Sequence, residues 1–307
     1  MKIKLLTLLF AISISYAFSQ QDKLLTHFIF DKTSINPGAT GVDLNHQICG
    51  TLIYRDQWDK FVGAPNSTLV NVEADLARYF PSALGLSYYY DEIGFTKQNN
   101  FTLNYAFHLP LGNGKLGIGA ALGLVNYSID PTWITPDQNP NDASLPNKSS
   151  AISFDANFGV YYASLKGWYV GLSTTHIPAM EMKNLNFSTA RHLYLMGGYR
   201  YNMGIGSHEL GLEANVLARS DIKLFSSDIN IRAIWDNFLY LGVTYRTFDA
   251  VALMVGGSYY GFTLGYSYDI SLNRISNISK GSHEIMLKYC HALPPLLITK
   301  SRNPRYL

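Results

Sequence analysis

Apolar and polar residues alternate with a period of two through most of the chain. In the segment 101–109 the odd positions are apolar or aromatic, and the even positions are Thr102, Asn104, Ala106 and His108. The same alternation is found at 70–76, 116–124, 152–162 and 262–270. Because successive side chains of a strand point to opposite faces, this pattern predicts strands with one apolar face.

Followed along the whole chain, the alternation predicts about fourteen strands, most of them about ten residues long, which is the length a tilted strand needs to cross a bilayer. Strands of soluble domains are typically about five or six residues. The predicted strands lie near 46–55, 67–77, 83–91, 99–109, 115–126, 151–162, 168–177, 191–202, 207–218, 227–235, 238–246, 250–259, 261–270 and 281–291.

The predicted connections differ in length on the two ends of the strands. Those after even-numbered strands are short, whereas those after odd-numbered strands include the longest, near 127–150 and 178–190, with the tight link 247–249 as an exception. Short turns on one rim and long loops on the other are typical of outer-membrane barrels with both termini in the periplasm. We therefore predict an all-β, transmembrane, antiparallel up-and-down β-barrel of about fourteen strands, with a short N-terminal plug-like segment.

The two faces of the predicted sheet differ in chemistry. Aromatic residues near strand ends fit two interfacial girdles: Tyr54, Tyr88, Tyr90, Trp168, Tyr199, Trp235, Tyr245 and Tyr289. The polar face carries both charge signs: Asn71, Glu73, Asp75, Asp155, Asn157, Glu209, Glu213, Asn215, Asp228, Asn230, Arg232 and Glu284. This mixture favours a hydrogen-bonded lumen over a single-sign ion filter. The alternative is a soluble sandwich with an aromatic core.

Composition and charge narrow the class of protein. Charged residues make up only 15% of the chain and aromatics 14%, with 24 Lys+Arg against 22 Asp+Glu. Without Lys2 and Lys4 the two charge counts are equal, so the mature chain lacks the basic excess that nucleic-acid binding requires. We predict no nucleic-acid partner.

The N-terminus predicts export. Lys2 and Lys4 precede an apolar stretch, and Ala17 and Ser19 fit a signal-peptidase site before Gln20. No later apolar run is long enough for a membrane helix. The predicted organisation is a signal peptide at 1–19, an N-terminal periplasmic or plug segment at 20–45, an outer-membrane barrel at 46–291 and a periplasmic tail at 292–307.

Motifs for catalysis or metal binding do not have the context they need. The GNGKLG letters at 112–117 form a turn between strands, whereas a dinucleotide site needs a strand followed by a helix. His208-Glu209 and His283-Glu284 are adjacent on strands, so their side chains face opposite ways. We predict no enzyme activity, catalytic residue, metal or cofactor. Cys49 and Cys290 fall on the first and last strands, either as a disulfide or as two thiols.

Several ordered blocks of sequence resemble the PorP/SprF family. They are Phe30 with INPGA at 35–39 and Gly41; YRDQW at 54–58 with GAP at 63–65; DEIG at 91–94; YR at 245–246 with DA at 249–250; GYSYD at 265–269; GSHEI at 281–285; and NPRY at 303–306. The resemblance covers essentially the whole mature chain. Mild departures are Gly38 in place of Ala and Asp56 in place of Asn.

The resemblance implies a non-enzymatic component of the type IX secretion system in the cell outer membrane. Its implied partners are outer-membrane lipid, other type IX components and a secreted adhesin or gliding protein with a type B C-terminal sorting domain. Whether the chain is a core subunit or a dedicated anchor stays open, and the alternative function is a passive channel or hydrophobic-solute transporter.

The family blocks also suggest residues for a plug or for partner binding. Asn36, Pro37 and Gly41 would fold into the barrel mouth, and Trp58 would be either a partner anchor or a girdle residue. Near the C-terminus, Arg302, Arg305 and Tyr306 would dock a periplasmic component unless the tail is disordered. The full set of candidates is Asn36, Pro37, Gly41, Tyr54, Arg55, Gln57, Trp58, Pro65, His283, Glu284, Pro304, Arg305 and Tyr306.

Overall fold

The computed structural model is a closed antiparallel β-barrel of fourteen strands, which confirms the predicted fold class. It describes residues 23–131, 148–182, 185, 187–221 and 224–294. The barrel strands are β1 (Gln47–Asp56), β2 (Asn66–Asp75), β3 (Ser82–Ile93), β4 (Thr96–Leu111), β5 (Gly114–Ile129), β6 (Ser149–Ser164), β7 (Trp168–Thr175), β10 (His192–Ile205), β11 (His208–Ser220), β12 (Phe225–Trp235), β13 (Leu239–Arg246), β14 (Ala250–Tyr259), β15 (Phe262–Ser271) and β16 (Ser282–Ala292). The short strands β8 (Glu181–Met182) and β9 (Phe187–Ser188) form a separate hairpin.

The period-two alternation places apolar side chains outside and polar side chains inside the barrel. On β4 the outward Phe101, Leu103 and Tyr105 are exposed, whereas Thr102 and Asn104 are buried in the lumen. Closure pairs each of the fourteen barrel strands with two neighbours, so the barrel leaves no sheet edge to hydrocarbon. Among the residues that the structure describes, no helix has both the length and the apolar character to cross a membrane.

The loops sort onto two rims. The long-loop rim carries the connections 57–65, 130–148, 176–191 and 272–281, whereas the short-turn rim carries 76–81, 112–113, 165–167, 206–207, 236–238 and 260–261. The tight link 247–249 lies on the long-loop rim, as predicted. The connection between β3 and β4 is shorter than the predicted strand bounds imply, because both strands extend to a tight turn at Gly94 and Phe95.

The first and last strands close the barrel in continuous register. Pairing runs from Gln47 opposite Ala292 to Asp56 opposite His283. Cys49 and Cys290 are register partners in this seam, and their sulfurs form a disulfide. The structure therefore selects the disulfide from the two alternatives that the sequence left open.

Candidate functional site: the lumen segment and its anchors

Residues 23–45, here called the lumen segment, run through the inside of the barrel from the long-loop rim to the short-turn rim. At the long-loop end the Lys23 carbonyl accepts from Arg219 Nη1 on β11. Midway, Asn71 Nδ2 on β2 donates to Asp31 Oδ1 at 2.8 Å. At the short-turn end the His46 N–H donates to the Asp75 carboxylate at 3.1 Å, directly before β1 begins.

The long-loop end of the lumen segment is held by one buried carboxylate. Glu284 on β16 accepts from the backbone N–H groups of Thr26 at 3.0 Å and His27 at 2.7 Å. Its Oε2 also accepts from Arg55 Nη1 on β1 at 3.1 Å. Both charged side chains are almost completely buried. Losing one partner of such a pair costs about 3–5 kcal/mol because the other charge is left desolvated.

The Arg55–Glu284 pair belongs to a network of buried, oppositely charged side chains near the long-loop rim, here called the rim network. Arg55 Nη2 also contacts Asp269 at 2.7 Å, and Asp269 accepts from Arg246 at 3.3 Å. Arg246 Nε then donates to Asp228 at 3.1 Å, and Asp228 accepts from Arg219. Alternating signs let each buried charge face an opposite one, which offsets its desolvation cost. The rim network consists of Arg55, Arg219, Arg246, Asp228, Asp269 and Glu284.

The middle of the lumen segment lies directly against the backbone of the barrel wall. Asn36 accepts from the Gly38 N–H at 2.9 Å and caps the 3-10 turn Pro37–Ala39, while its Nδ2 donates to the Val160 carbonyl at 3.1 Å. A Cβ added at Gly159 on β6 would lie 2.0 Å from Asn36 Oδ1. Only glycine at this wall position leaves room for the turn.

Gly41 lies between the lumen segment and β2. Its φ of +67° favours glycine, and its N–H donates to Glu73 at 2.9 Å. Glu73 also accepts from Thr33 Oγ1 at 2.7 Å. One wall carboxylate therefore joins two separate parts of the lumen segment.

Lys32 holds the lumen segment near the short-turn rim. Its Nζ contacts Asp43 Oδ2 at 2.7 Å and the Tyr161 hydroxyl at 2.9 Å, and lies 3.7 Å from the centroid of the Tyr169 ring. The Asp43 side chain is 43% exposed; its partial desolvation raises its pKa, but the Lys32 ammonium and the Tyr161 hydroxyl lower it by more, so this pKa lies below its ordinary value. Asp43 is therefore anionic at neutral pH.

The structure brings together five of the candidate residues, which are Asn36, Pro37, Gly41, Arg55 and Glu284. All five are buried and lie in the lumen segment or against it.

The remaining candidates lie elsewhere. Tyr54 is exposed on the outer face. His283 also lies on the outer face, where its ring is tilted against that of Tyr268 and its Nδ1 is hydrogen-bonded to the Tyr266 hydroxyl at 2.8 Å. Gln57, Trp58 and Pro65 belong to the loop between β1 and β2, where the Gln57 N–H donates to the Pro65 carbonyl and Trp58 is half-buried. Pro304, Arg305 and Tyr306, together with Arg302, lie outside the described residues.

Sequence reasoning did not identify Thr26, His27, Asp269 and Arg246 as parts of this site. Asp269 and Arg246 stand inside family blocks, and Glu284 was identified as an inward-facing residue. The contacts of Thr26 and His27 with Glu284 join residues that are 258 and 257 positions apart. The available signal was the run of charged residues at inward positions near the ends of strands on one rim.

The contacts of the lumen segment are structural in kind: ion pairs, caps and backbone hydrogen bonds. Within the ranges described, no group of three or more His, Cys, Asp or Glu side chains is arranged to hold a metal ion. Two cavities of about 290 Å³ lie beside Ile29, Lys32 and Asp43, one toward Lys288 and the other toward Arg232. The lumen segment thus leaves gaps beside it near the short-turn rim.

An apolar, closed, antiparallel wall around a polar lumen defines an outer-membrane β-barrel protein. The chain belongs to the family of type IX secretion system membrane proteins PorP/SprF, whose model matches residues 17–289. This membership confirms the predicted family and the outer-membrane location. No curated protein sequence matches the chain.

Solved structures of bacterial outer-membrane barrels are similar in fold. The Ralstonia pickettii toluene transporter TbuX has 9% identity and a TM-score of 0.50, covering 85% of this chain and 93% of that one. The P. putida toluene transporter TodX has 9% identity and a TM-score of 0.47, covering 80% and 89%. CdiB from Acinetobacter baumannii has 11% identity and a TM-score of 0.46; the match covers 81% of this chain but only 60% of CdiB. At such identities the likeness concerns the fold alone.

Proposed function

We propose that this protein is a non-enzymatic component of the type IX secretion system that supports the secretion or surface anchoring of a partner protein. The partner is an adhesin or gliding protein with a type B C-terminal sorting domain. The observation that carries the proposal is the lumen segment, which contacts strands from β1 to β16 and fills much of the space that a conduit would need. Family membership supports a role in secretion.

In this proposal the lumen segment is a plug, and the barrel acts through its surfaces. Strong anchoring favours a permanent plug, since the rim network and Glu73 hold it from several sides. Partners would then bind at the loops of the long-loop rim and at the C-terminal tail, which would dock a periplasmic component.

The first test is co-purification of partner chains with the detergent-solubilised protein from the producing bacterium. We expect another type IX component and a large secreted protein among the chains recovered.

A strain lacking the protein should lose that secreted protein from its surface, as measured by protease shaving of whole cells. Deletion of residues 295–307 should reduce display while the barrel still assembles. Normal display in the strain that lacks the protein would refute the proposal.

The alternative function is a passive channel or a hydrophobic-solute transporter. The two cavities beside the lumen segment are the observation in its favour, because they are gaps inside the barrel. Conductance of the purified protein in planar bilayers separates the two functions. A plugged scaffold gives no stable ion current, whereas steady current through wild-type barrels would favour the channel.

A further inference from the structure

The cavity of about 290 Å³ that lies toward Arg232, here called the margin cavity, is lined by residues of both faces of the barrel wall. Trp168 and Tyr199 belong to the outer face and are 40% and 50% exposed, whereas Arg200 belongs to the lumen side. Both faces meet here because the wall is low: β7 begins at Trp168, but β10 continues beyond its register partner Tyr199. The margin cavity therefore joins the mouth of the lumen to the lipid-facing side under the turn 165–167.

Trp168 and Tyr199 indicate the depth of the margin cavity in the membrane. The Trp168 ring packs on the outer face against the ring of Tyr162, with 5.0 Å between their centroids. Trp and Tyr side chains on a lipid-facing wall lie at the level of the lipid head groups. Because the short turns of such barrels face the periplasm, the margin cavity lies at the head-group level of the periplasmic leaflet.

The charges that line the margin cavity leave one cation without a counter-charge. The charged side chains are Lys32, Asp43, Arg200, Glu213 and Arg232. Asp43 lies 2.7 Å from the Lys32 ammonium, and Glu213 lies 2.8 Å from the Arg232 guanidinium. Both carboxylates are thus paired with other cations, and the positive charge of Arg200 is left over.

Arg200 presents a free donor to the margin cavity. Its Nε donates to Asn202 Oδ1 at 2.8 Å, and its Nη2 donates to Asn237 Oδ1. Within the described ranges its Nη1 has no acceptor, and this atom is not among the unpartnered polar atoms that the protein encloses. The two neutral amides hold the guanidinium in place without neutralising it. Its remaining N–H groups are therefore available to an oxyanion, and the fork of a guanidinium matches phosphate oxygens.

We propose that the margin cavity binds the phosphate of an anionic phospholipid in the periplasmic leaflet. A phosphodiester oxygen accepts from Arg200 Nη1, the head group reaches under the turn 165–167, and the acyl chains lie along Trp168 and Tyr199. The single unpaired cation favours a head group with one net negative charge. A zwitterionic head group gains less, because its ammonium meets carboxylates that are already paired. This is a specific lipid site, distinct from the general contact of the wall with lipid, and it is independent of any role in protein secretion.

The test compares two lipids that differ only in head-group charge, using the full-length mature protein in detergent and native mass spectrometry. The probes are dioleoyl phosphatidylglycerol, which is anionic, and dioleoyl phosphatidylcholine, which is zwitterionic. We expect the first to bind about fivefold to tenfold more tightly, the gain from one charge-assisted hydrogen bond at a partly exposed site.

A soluble competitor separates a lipid from a free phosphodiester. Glycerophosphoglycerol has the head group of phosphatidylglycerol but no acyl chains, so it lacks the contacts with Trp168 and Tyr199. At concentrations equal to that of the lipid it should not displace phosphatidylglycerol. Displacement as effective as that by unlabelled phosphatidylglycerol would identify a soluble ligand and overturn the assignment to lipid.

Three variants locate the site, each checked for folding by its heat-dependent mobility in SDS gels. Arg200→Gln should bind phosphatidylglycerol as weakly as phosphatidylcholine, whereas Arg200→Lys, which keeps the charge but not the fork, should retain part of the preference. Arg78→Gln is the matched control, because it removes an exposed arginine from the same rim in the turn between β2 and β3. It should keep the full preference.

Three results would each overturn the proposal. The first is equal affinity of the wild type for the two lipids. The second is an unchanged preference in Arg200→Gln. The third is a loss in Arg78→Gln as large as that in Arg200→Gln, which would assign the preference to the general charge of the rim.

Discussion

Arg55 and Glu284 face each other across the seam where the first and last strands meet, with Nη1 and Oε2 3.1 Å apart. The same carboxylate accepts the backbone N–H groups of Thr26 and His27. This single pair therefore joins the closure of the barrel to the position of the lumen segment. Toward the other end of the same seam, Cys49 and Cys290 are register partners of each other.

Replacing the arginine of this pair should release the end of the lumen segment. In Arg55→Met, Glu284 and Asp269 remain buried without their closest cation, at a cost of about 3–5 kcal/mol. Amide exchange at Thr26 and His27 should accelerate by about two orders of magnitude or more, which hydrogen-exchange mass spectrometry can measure.

The matched control for this variant is Arg200→Met. Arg200 is a half-buried arginine at the short-turn rim whose side chain contacts Asn202 and Asn237, far from Thr26. Exchange at Thr26 and His27 should stay at the wild-type rate in this control. Wild-type exchange in Arg55→Met would show that the pair does not anchor the lumen segment.

A single methyl group at Gly159 should displace the turn at Pro37–Ala39. The added Cβ would lie 2.0 Å from Asn36 Oδ1, and overpacking of this kind costs about 1–3 kcal/mol. We expect Gly159→Ala to produce intermittent ion-current steps in planar bilayers where the wild type is silent. Gly50→Ala is the control, because a Cβ there has no atom within 4 Å.

A second substitution tests the cause of that effect. Asn36→Ala removes the atom that the new methyl group would strike, so Asn36→Ala in the Gly159→Ala background should partly restore the silent state. If the double variant conducts at least as much as Gly159→Ala, the contact between these two residues is not the cause.

The barrel could be predicted from the sequence because its signal is local. Alternation within segments such as 101–109 determines which face of a strand is apolar, and lipid requires that every strand be paired. The sequence did not predict the tight turn at Gly94 and Phe95. At the end of β3 and the start of β4, polar residues occupy consecutive positions and therefore interrupt the alternation.

The site was less predictable because its contacts are not local. Arg55 and Glu284 are separated by 229 positions, and no periodic pattern connects them. The sequence suggested that Asn36, Pro37 and Gly41 fold into the barrel mouth as a plug. It gave no sign that the lumen segment continues to Lys23 near the long-loop rim, because the contact of the Lys23 carbonyl with Arg219 joins residues 196 positions apart.

The disulfide should stabilise the closed seam. Removing a native disulfide typically costs about 2–5 kcal/mol, because the unfolded chain gains freedom. The Cys49→Ser, Cys290→Ser double variant should therefore unfold at a lower temperature when the barrel is assayed by its heat-dependent mobility in SDS gels. The wild type should show the same decrease in reducing buffer.

The double variant also provides the control. Its strand pairing in the seam remains, so it should still form a barrel, and reductant should not change its unfolding temperature further. Identical unfolding temperatures for wild type and double variant without reductant would show that the disulfide contributes nothing to stability.

Acidification should loosen the short-turn end of the lumen segment through Asp43. The pKa of this carboxyl is below its ordinary value of 3.8, since Lys32 and Tyr161 outweigh the partial desolvation of the half-exposed side chain. A lowered carboxyl pKa stabilises the bound state above the ordinary value, and this contribution is lost as pH falls through the lowered pKa. Exchange of the Val42 and Leu44 amides, corrected for the intrinsic rate, should therefore accelerate below about pH 4.

Asp43→Asn should show fast exchange at neutral pH and a weaker response to acid. The control Asp130→Asn, which removes the exposed pair with Lys148, should behave as wild type. An acid response of unchanged size in Asp43→Asn would assign it to other carboxylates of the lumen, such as Glu73.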